Sequence, residues 1–144
     1  MSTPQPAQAP ATAGLPLLIA VELAVRWRDL DAFNHVNNAS YLTYLEEARL
    51  QWFASLPGTW MDDATAPLLA AAHVDYRRPI EWPGSVRVEL YAGRAGTSSL
   101  TIPHRILSRD SSLLYAEGHT VLVWIDRATG RGSALPHAVR SVLP

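Results

Sequence analysis

Between Val21 and Arg28, apolar and polar positions alternate: Val21, Leu23, Val25 and Trp27 against Glu22, Ala24, Arg26 and Arg28. A period of two predicts a half-buried β-strand. From Tyr41 the period changes. At about 100° per residue, Tyr41, Leu45, Ala48 and Trp52 share one stripe, flanked by Leu42, Phe53 and Leu56, with Thr43, Glu47 and Gln51 opposite. This predicts an amphipathic helix. Asn37 or Asn38 can cap its start, because a side-chain oxygen there accepts from a backbone N–H that the helix leaves free. Pro57-Gly58 ends it. A helix of roughly 18 residues is about 27 Å long, enough to run across a whole sheet. Arg49 falls inside the apolar flank, so its stem is expected to cover apolar surface while its head meets Glu46.

Four further strands are predicted beyond a loop through Trp60, Asp62 and Asp63. The first, Leu69 to Tyr76, ends in alternation. Val86 to Ala92 and Leu100 to Ile106 follow, each set off by turns at Pro83-Gly84 and at Gly93 to Gly96. Pro103 interrupts the third run, which suggests an edge position or a bulge. Leu113 to Ile125 is the longest run, and from Val121 onward both its faces are apolar, as in a strand covered on two sides. The short spacings predict an antiparallel meander. Pro136 to Leu143 can start a short helix. The order is strand, helix, four strands: an α+β chain with one long helix on one face of an antiparallel sheet. The other face keeps apolar residues with no helix to cover them, so a homo-oligomer is expected, a dimer or a dimer of dimers.

The chain has 144 residues, 48% of them hydrophobic and 17% charged, which suits one globular domain with a real core. Met1 to Gly14 is rich in Pro, Ala, Thr and Gln and lacks the basic start of a signal peptide. Residues 1–16 are read as a disordered tail and 17–144 as the domain. A net charge of −1 gives no electrostatic footprint for nucleic acid. No apolar run approaches the roughly 18 residues of a membrane span, so a cytoplasmic protein without membrane partners is expected. The absence of cysteine removes disulfides, thiolate metal sites and a cysteine nucleophile.

The chemistry gathers in the loop between the first strand and the helix. It holds Asp29, Asp31, His35 and three amides, Asn34, Asn37 and Asn38. Loops held between rigid elements are where sites tend to form. The chain has no G-x-S-x-G elbow, no Gly-rich phosphate loop and no H-E-x-x-H. Asp29, Asp31 and His35 could hold a divalent metal, a weak signal from one loop. What remains is a carboxylate. An aspartate with an ordinary pKa of about 3.9 is ionised at neutral pH. It can attack an activated carbonyl, or align a water to do so, without a partner to deprotonate it. The helix start offers free N–H groups and the positive end of a dipole, which would stabilise an oxyanion. An aspartate in a loop before a helix is more often a cap or turn former.

The run Asp29-x-Asp31-Ala-Phe-Asn-His35-Val-Asn37-Asn38-x-x-Tyr41-Leu-x-Tyr-Leu-Glu46-Glu47-Ala-Arg49 resembles the signature of the hotdog-fold acyl-CoA thioesterases, in their 4-hydroxybenzoyl-CoA thioesterase-like subgroup. Val74-Asp-Tyr-Arg-Arg-Pro79, Gly96-Thr-Ser-Ser-Leu100 and Val121-Leu-Val-Trp-Ile-Asp126 resemble the family's later strands. The likeness covers roughly Val21 to Leu143. It implies a hotdog fold, a curved antiparallel sheet wrapped around one long central helix, with sites at a dimer interface where two sheets become one. It also implies hydrolysis of acyl-CoA to free acid and CoA, with no cofactor and no metal. The family's catalytic carboxylate falls on Asp31 and its carbonyl-polarising backbone amide on Asn38. His35 either shapes the loop or touches the thioester, and Asp29 is read as structural. Asn37 and Tyr41 are expected at the substrate. Arg77, Arg78 and Arg94, with Ser98 and Ser99, are expected to meet CoA. Asn34 departs from the glycine common in relatives, and asparagine tolerates positive φ. Two rival functions are a non-catalytic acyl-CoA or acyl-carrier binding protein and a hotdog hydratase or dehydratase. The D-x-N-P-x-H pattern looked for in the second is not matched, because Asp31 and His35 are four steps apart with no proline between.

Overall fold

The computed structural model describes residues 10–144. The elements run β1 (Leu17–Ala24), α1 (Asn38–Ala54), β2 (Thr65–Tyr76), β3 (Ser85–Tyr91), β4 (Ser99–Ser108), β5 (Leu114–Asp126) and a short α2 (His137–Arg140). All five strands form one antiparallel sheet in the order β1-β3-β4-β5-β2. The core lies between this sheet and α1. Tyr41, Tyr44, Leu45, Ala48, Trp52 and Phe53 of the helix are buried against Val86, Val88 and Leu90 of β3, Leu100, Ile102 and Ile106 of β4, and Trp124 of β5. This α+β arrangement of a curved sheet and one long helix is the hotdog fold. The helix stripe read from periodicity is the buried stripe, and the cap is Asn37, whose side chain accepts from the Ala39 N–H.

Four expectations are corrected. The first strand ends at Ala24: the Val25 N–H still reaches across to the Gly84 carbonyl (2.9 Å), but the Asp29 carboxylate then draws the Arg26 N–H into a 3-10 turn over Trp27–Asp29. Trp27, which continues the alternation, is left 71% exposed. The late strands are not one meander: β3, β4 and β5 are consecutive neighbours, but β2 pairs with β5 from Thr65↔Asp126 to Tyr76↔Ala116. The chain must therefore cross the end of the sheet between Tyr76 and Ser85. Pro103 is in an interior strand. On its β3 side the ladder stops at Leu90↔His104 and contact resumes at Gly93, whose N–H bonds the Thr101 carbonyl, so the missing proline donor falls in the gap. Gly93 leaves room for the ring, since a Cβ there would lie 2.7 Å from Pro103 Cδ. Finally, Arg49 is buried but makes no ion pair with Glu46 within 4.0 Å among the described residues. Burial pushes its guanidinium pKa down, and the Glu46 charge partly restores it.

Residues 1–9 of the expected tail lie outside the described residues. Residues 10–16 carry a turn, with Ala13 N–H on the Pro10 carbonyl and Leu15 N–H on that of Thr12. Of β5's late residues, Leu122 and Trp124 are buried, while Val121, Val123 and Ile125 are half-buried in the single chain. The free edge of β2 is apolar and open: Leu68 is 53% and Leu69 47% exposed, and Ala70, Ala71 and Ala72 are exposed. Among the described residues, no helix is long and apolar enough to cross a membrane.

Candidate active site

The crossover that separates β2 from β3 brings two basic residues to the polar loop. Arg77 and Arg78 both donate backbone N–H groups to the Tyr115 carbonyl, and the Ile80 carbonyl accepts from the Val36 N–H (2.9 Å). Ile80 is buried beneath the loop as its anchor. A cavity of about 550 Å³ opens there, lined by Asp31, Phe33, His35, Val36, Asn37, Asn38, Tyr41, Tyr76, Arg77, Arg78 and Pro79.

The loop is a small closed turn. A bridge pairs Leu30 with Val36, the Asp31 N–H donates to the His35 carbonyl (3.1 Å), and the Asn34 N–H donates to the Asp31 carbonyl (3.0 Å). Asn34 sits at φ 61°, the left-handed region that asparagine enters more easily than most residues. The Asp31 carboxylate accepts the Phe33 N–H on Oδ1 (2.9 Å) and the Asn37 side-chain amide on Oδ2 (3.1 Å). The turn-forming role foreseen for such an aspartate is thus present. It is compatible with further chemistry, since each carboxylate oxygen has a second lone pair.

Asp29, two residues earlier, is buried. Its Oδ2 accepts the Arg26 N–H (2.9 Å) and the Tyr44 hydroxyl (2.8 Å), and its Oδ1 lies 3.7 Å from the Arg26 guanidinium. Burial, with the bond to Asp29, raises the Tyr44 phenol pKa. Asp29 is committed to holding the loop to the helix. Asp29, Asp31 and His35 do not converge, and among the described residues no three His, Asp or Glu side chains are placed to hold a metal ion.

At the helix start, the Ala39 N–H is taken by the Asn37 side chain and the Ser40 N–H by the Asn37 carbonyl (2.9 Å). The Asn38 N–H has no acceptor among the described residues. The residue that carries this open donor, at the N-terminal end of a 17-residue helix, lines the same cavity as Asp31. Tyr76 and Tyr41 wall the cavity, with ring centroids 4.8 Å apart at 81°, and the Tyr76 hydroxyl donates to the Asn38 carbonyl (3.0 Å). The Tyr41 hydroxyl donates to the Arg78 carbonyl (3.4 Å), and burial raises its pKa. His35 is 42% exposed and stands 4.0 Å from Glu81. Arg77 lies 3.9 Å from Asp75 and 3.8 Å from Glu117. Arg78 has no carboxylate within 4.0 Å among the described residues.

Seven residues singled out by sequence thus share one cavity: Asp31, His35, Asn37, Asn38, Tyr41, Arg77 and Arg78. Arg94, Ser98 and Ser99 do not line it; they sit near the start of β4, at the level of Leu68 on β2 through the pairs Ser99↔Val123 and Leu68↔Val123. Sequence reasoning passed over Phe33 and Tyr76 as site residues. Phe33, 83% exposed inside the polar run, was a signal in plain view; Tyr76 read only as the last residue of a strand.

Comparison with known proteins gives the chemistry a family. Residues 25–143 match the model of the Thioesterase-like superfamily. The long-chain acyl-CoA thioesterase FadM of Escherichia coli is 27% identical over 124 residues, 85% of this chain and 94% of FadM. Among solved structures, the PA2801 protein of Pseudomonas aeruginosa is 41% identical with a TM-score of 0.81, covering 87% of this chain and 97% of that one. A thioesterase of Thermus thermophilus, solved with coenzyme A and zinc, is 37% identical with a TM-score of 0.73, covering 89% and 97%. With this match over most of its length, the chain belongs to the thioesterase-like superfamily and is a hotdog-fold enzyme of thioester hydrolysis.

Proposed function

We propose that the protein hydrolyses acyl-CoA thioesters, with Asp31 as general base or nucleophile and the Asn38 N–H polarising the thioester carbonyl. The observation that carries this reading is that Asp31 and Asn38, whose N–H has no acceptor among the described residues, line one cavity. The carbonyl oxygen would point to the Asn38 N–H, where the positive helix end favours the developing oxyanion. Asp31 would attack the carbonyl carbon and expel the CoA thiolate, leaving a mixed anhydride that water then hydrolyses to the free acid. Alternatively, it would deprotonate a water whose attack expels the thiolate directly, the thiolate taking up the proton. A thiolate is a good leaving group, so the attacking group need not be a strong base. FadM and the coenzyme A complex of the Thermus thermophilus enzyme support CoA as the carrier. Arg78 is the best-placed cation for a CoA phosphate, because among the described residues no carboxylate lies within 4.0 Å to compete for it. His35 is assigned to shaping the loop beside the carbonyl.

The working unit in this reading is a homodimer or a dimer of dimers. The open edge of β2 would pair antiparallel with the same edge of a second copy. A two-fold axis through the middle of β2 sets the Leu68 end of one copy beside the Tyr76 end of the other. Arg94, Ser98 and Ser99 would then lie at the end of the joined sheet that carries the second copy's Asp31. A cytoplasmic location is part of the same proposal.

The test is release of free CoA thiol, followed with a thiol-reactive dye, across short, long and aromatic acyl-CoAs. Hydrolysis of at least one class is the expected result. Calorimetric binding of every class without thiol release would replace the enzyme with an acyl-CoA binding protein.

A further inference from the structure

We infer that Asn37 is a positioning residue: it clamps the Asp31 carboxylate to the start of α1. The inference rests on the thioesterase reading and adds a residue role to it. Asn37 stands on the cavity wall, where an amide could meet substrate. Its side chain is already engaged at both ends. Oδ1 accepts the Ala39 N–H (2.9 Å) and Nδ2 donates to Asp31 Oδ2 (3.1 Å). Its backbone is fixed as well, since its N–H donates to the Asp29 carbonyl (2.8 Å) and its own carbonyl accepts the Ser40 N–H (2.9 Å).

One amide group therefore ties the carboxylate to the second residue of the helix, immediately after the free Asn38 N–H. The two groups that must act on one carbonyl are held in register through it. Of the residues that cap helices well, asparagine alone does both jobs. Aspartate and serine accept from the helix N–H equally well. An aspartate has no N–H to offer Asp31, and serine is too short to reach it. Holding a reacting group within about 0.5 Å is what such supporting bonds provide, and a 1 Å misplacement can cost about 100-fold in rate.

Two cap-conserving variants, Asn37→Ser and Asn37→Asp, test this in the full chain. For Asn37→Ser the clamp predicts a kcat reduced by roughly 10- to 100-fold with KM within about threefold of wild type, the pattern of a group that acts on the reacting residue and not on substrate. For Asn37→Asp it predicts the same loss, plus an acidic limb of the kcat/KM–pH profile moved to higher pH, because a second carboxylate beside the first favours its protonated form. A several-fold rise in KM at unchanged kcat would overturn the clamp in favour of direct substrate contact, and wild-type kinetics in both variants would overturn it outright. A readout independent of turnover separates this claim from the thioesterase reading. The Asn37 side-chain amide resonances of the wild-type protein should follow the titration of a neighbouring carboxyl group, and Asp31→Asn should abolish that response. If no acyl-CoA is cleaved but the amide still titrates with Asp31, the enzyme reading fails and the clamp stands. If acyl-CoA is cleaved and the amide ignores Asp31, the clamp alone fails.

Discussion

His104 lies on the core-facing side of β4, fully buried, and among the described residues neither ring nitrogen has a hydrogen-bond partner. Burial pushes its pKa down to about 4 from 6.5, with the nearby His119 and His73 adding to the fall and the His73 carbonyl opposing it. The neutral form is thus favoured in the folded state, and the unfolded chain binds a proton first as pH falls. His104 leaves stability intact above about pH 6.5 and subtracts from it as pH falls toward 4, by up to about 3 kcal/mol. Denaturant unfolding at a series of pH values should show this acid limb, and His104→Leu should flatten it. Burial also separates the two loop aspartates. Nothing in the run Asp29-x-Asp31 tells which carboxylate faces inward. The distinction comes from Tyr44, fifteen residues away, whose hydroxyl claims Asp29. Tyr44→Phe leaves that buried carboxylate short of a donor and should cost about 2 kcal/mol of stability in a denaturant titration.

At the scale of elements, the alternation of polar and apolar residues found all five strands, though it set the first one four residues too late, at Val21–Arg28 for Leu17–Ala24, and the stripe on α1 located the face that packs. Neither signal carries strand order. A period of two says that Leu69 to Tyr76 is a strand; it does not say that its neighbour lies some fifty residues later in β5 and not in the adjacent β3. The crossover is also what assembles the site, so the meeting of Arg77 and Arg78 with Asp31 followed from the family likeness and not from the pattern. Gly118 shows what the long-range pairing demands. A Cβ there would collide with the His73 carbonyl of β2 and lie 3.2 Å from His104 Cε1. Backbone does not move aside as the end of a flexible side chain does. Gly118→Ala should therefore destabilise the protein by about 2 kcal/mol or more, lowering Tm by roughly 4–8 °C. An unchanged melting curve would show that β2 is not seated on β5 at this register.

For the whole molecule, the proposed second copy would account together for the open β2 edge and for the separation of Arg94, Ser98 and Ser99 from the cavity. Light scattering should give a mass of at least two chains of 15.8 kDa. Leu69→Lys places a charge on the half-exposed edge and should shift the protein toward a single chain, with loss of activity in step with dissociation. A fully active single chain would remove the interface from the account. The central claim is narrower than any assembly: a carboxylate at Asp31 acts on a carbonyl held by the Asn38 N–H. The most direct test is thiol release from acyl-CoA by Asp31→Asn at saturating substrate, with ligand binding measured alongside. The account predicts turnover lower by at least about 100-fold with binding retained, and a folded Asp31→Asn protein that turns over like wild type would contradict it.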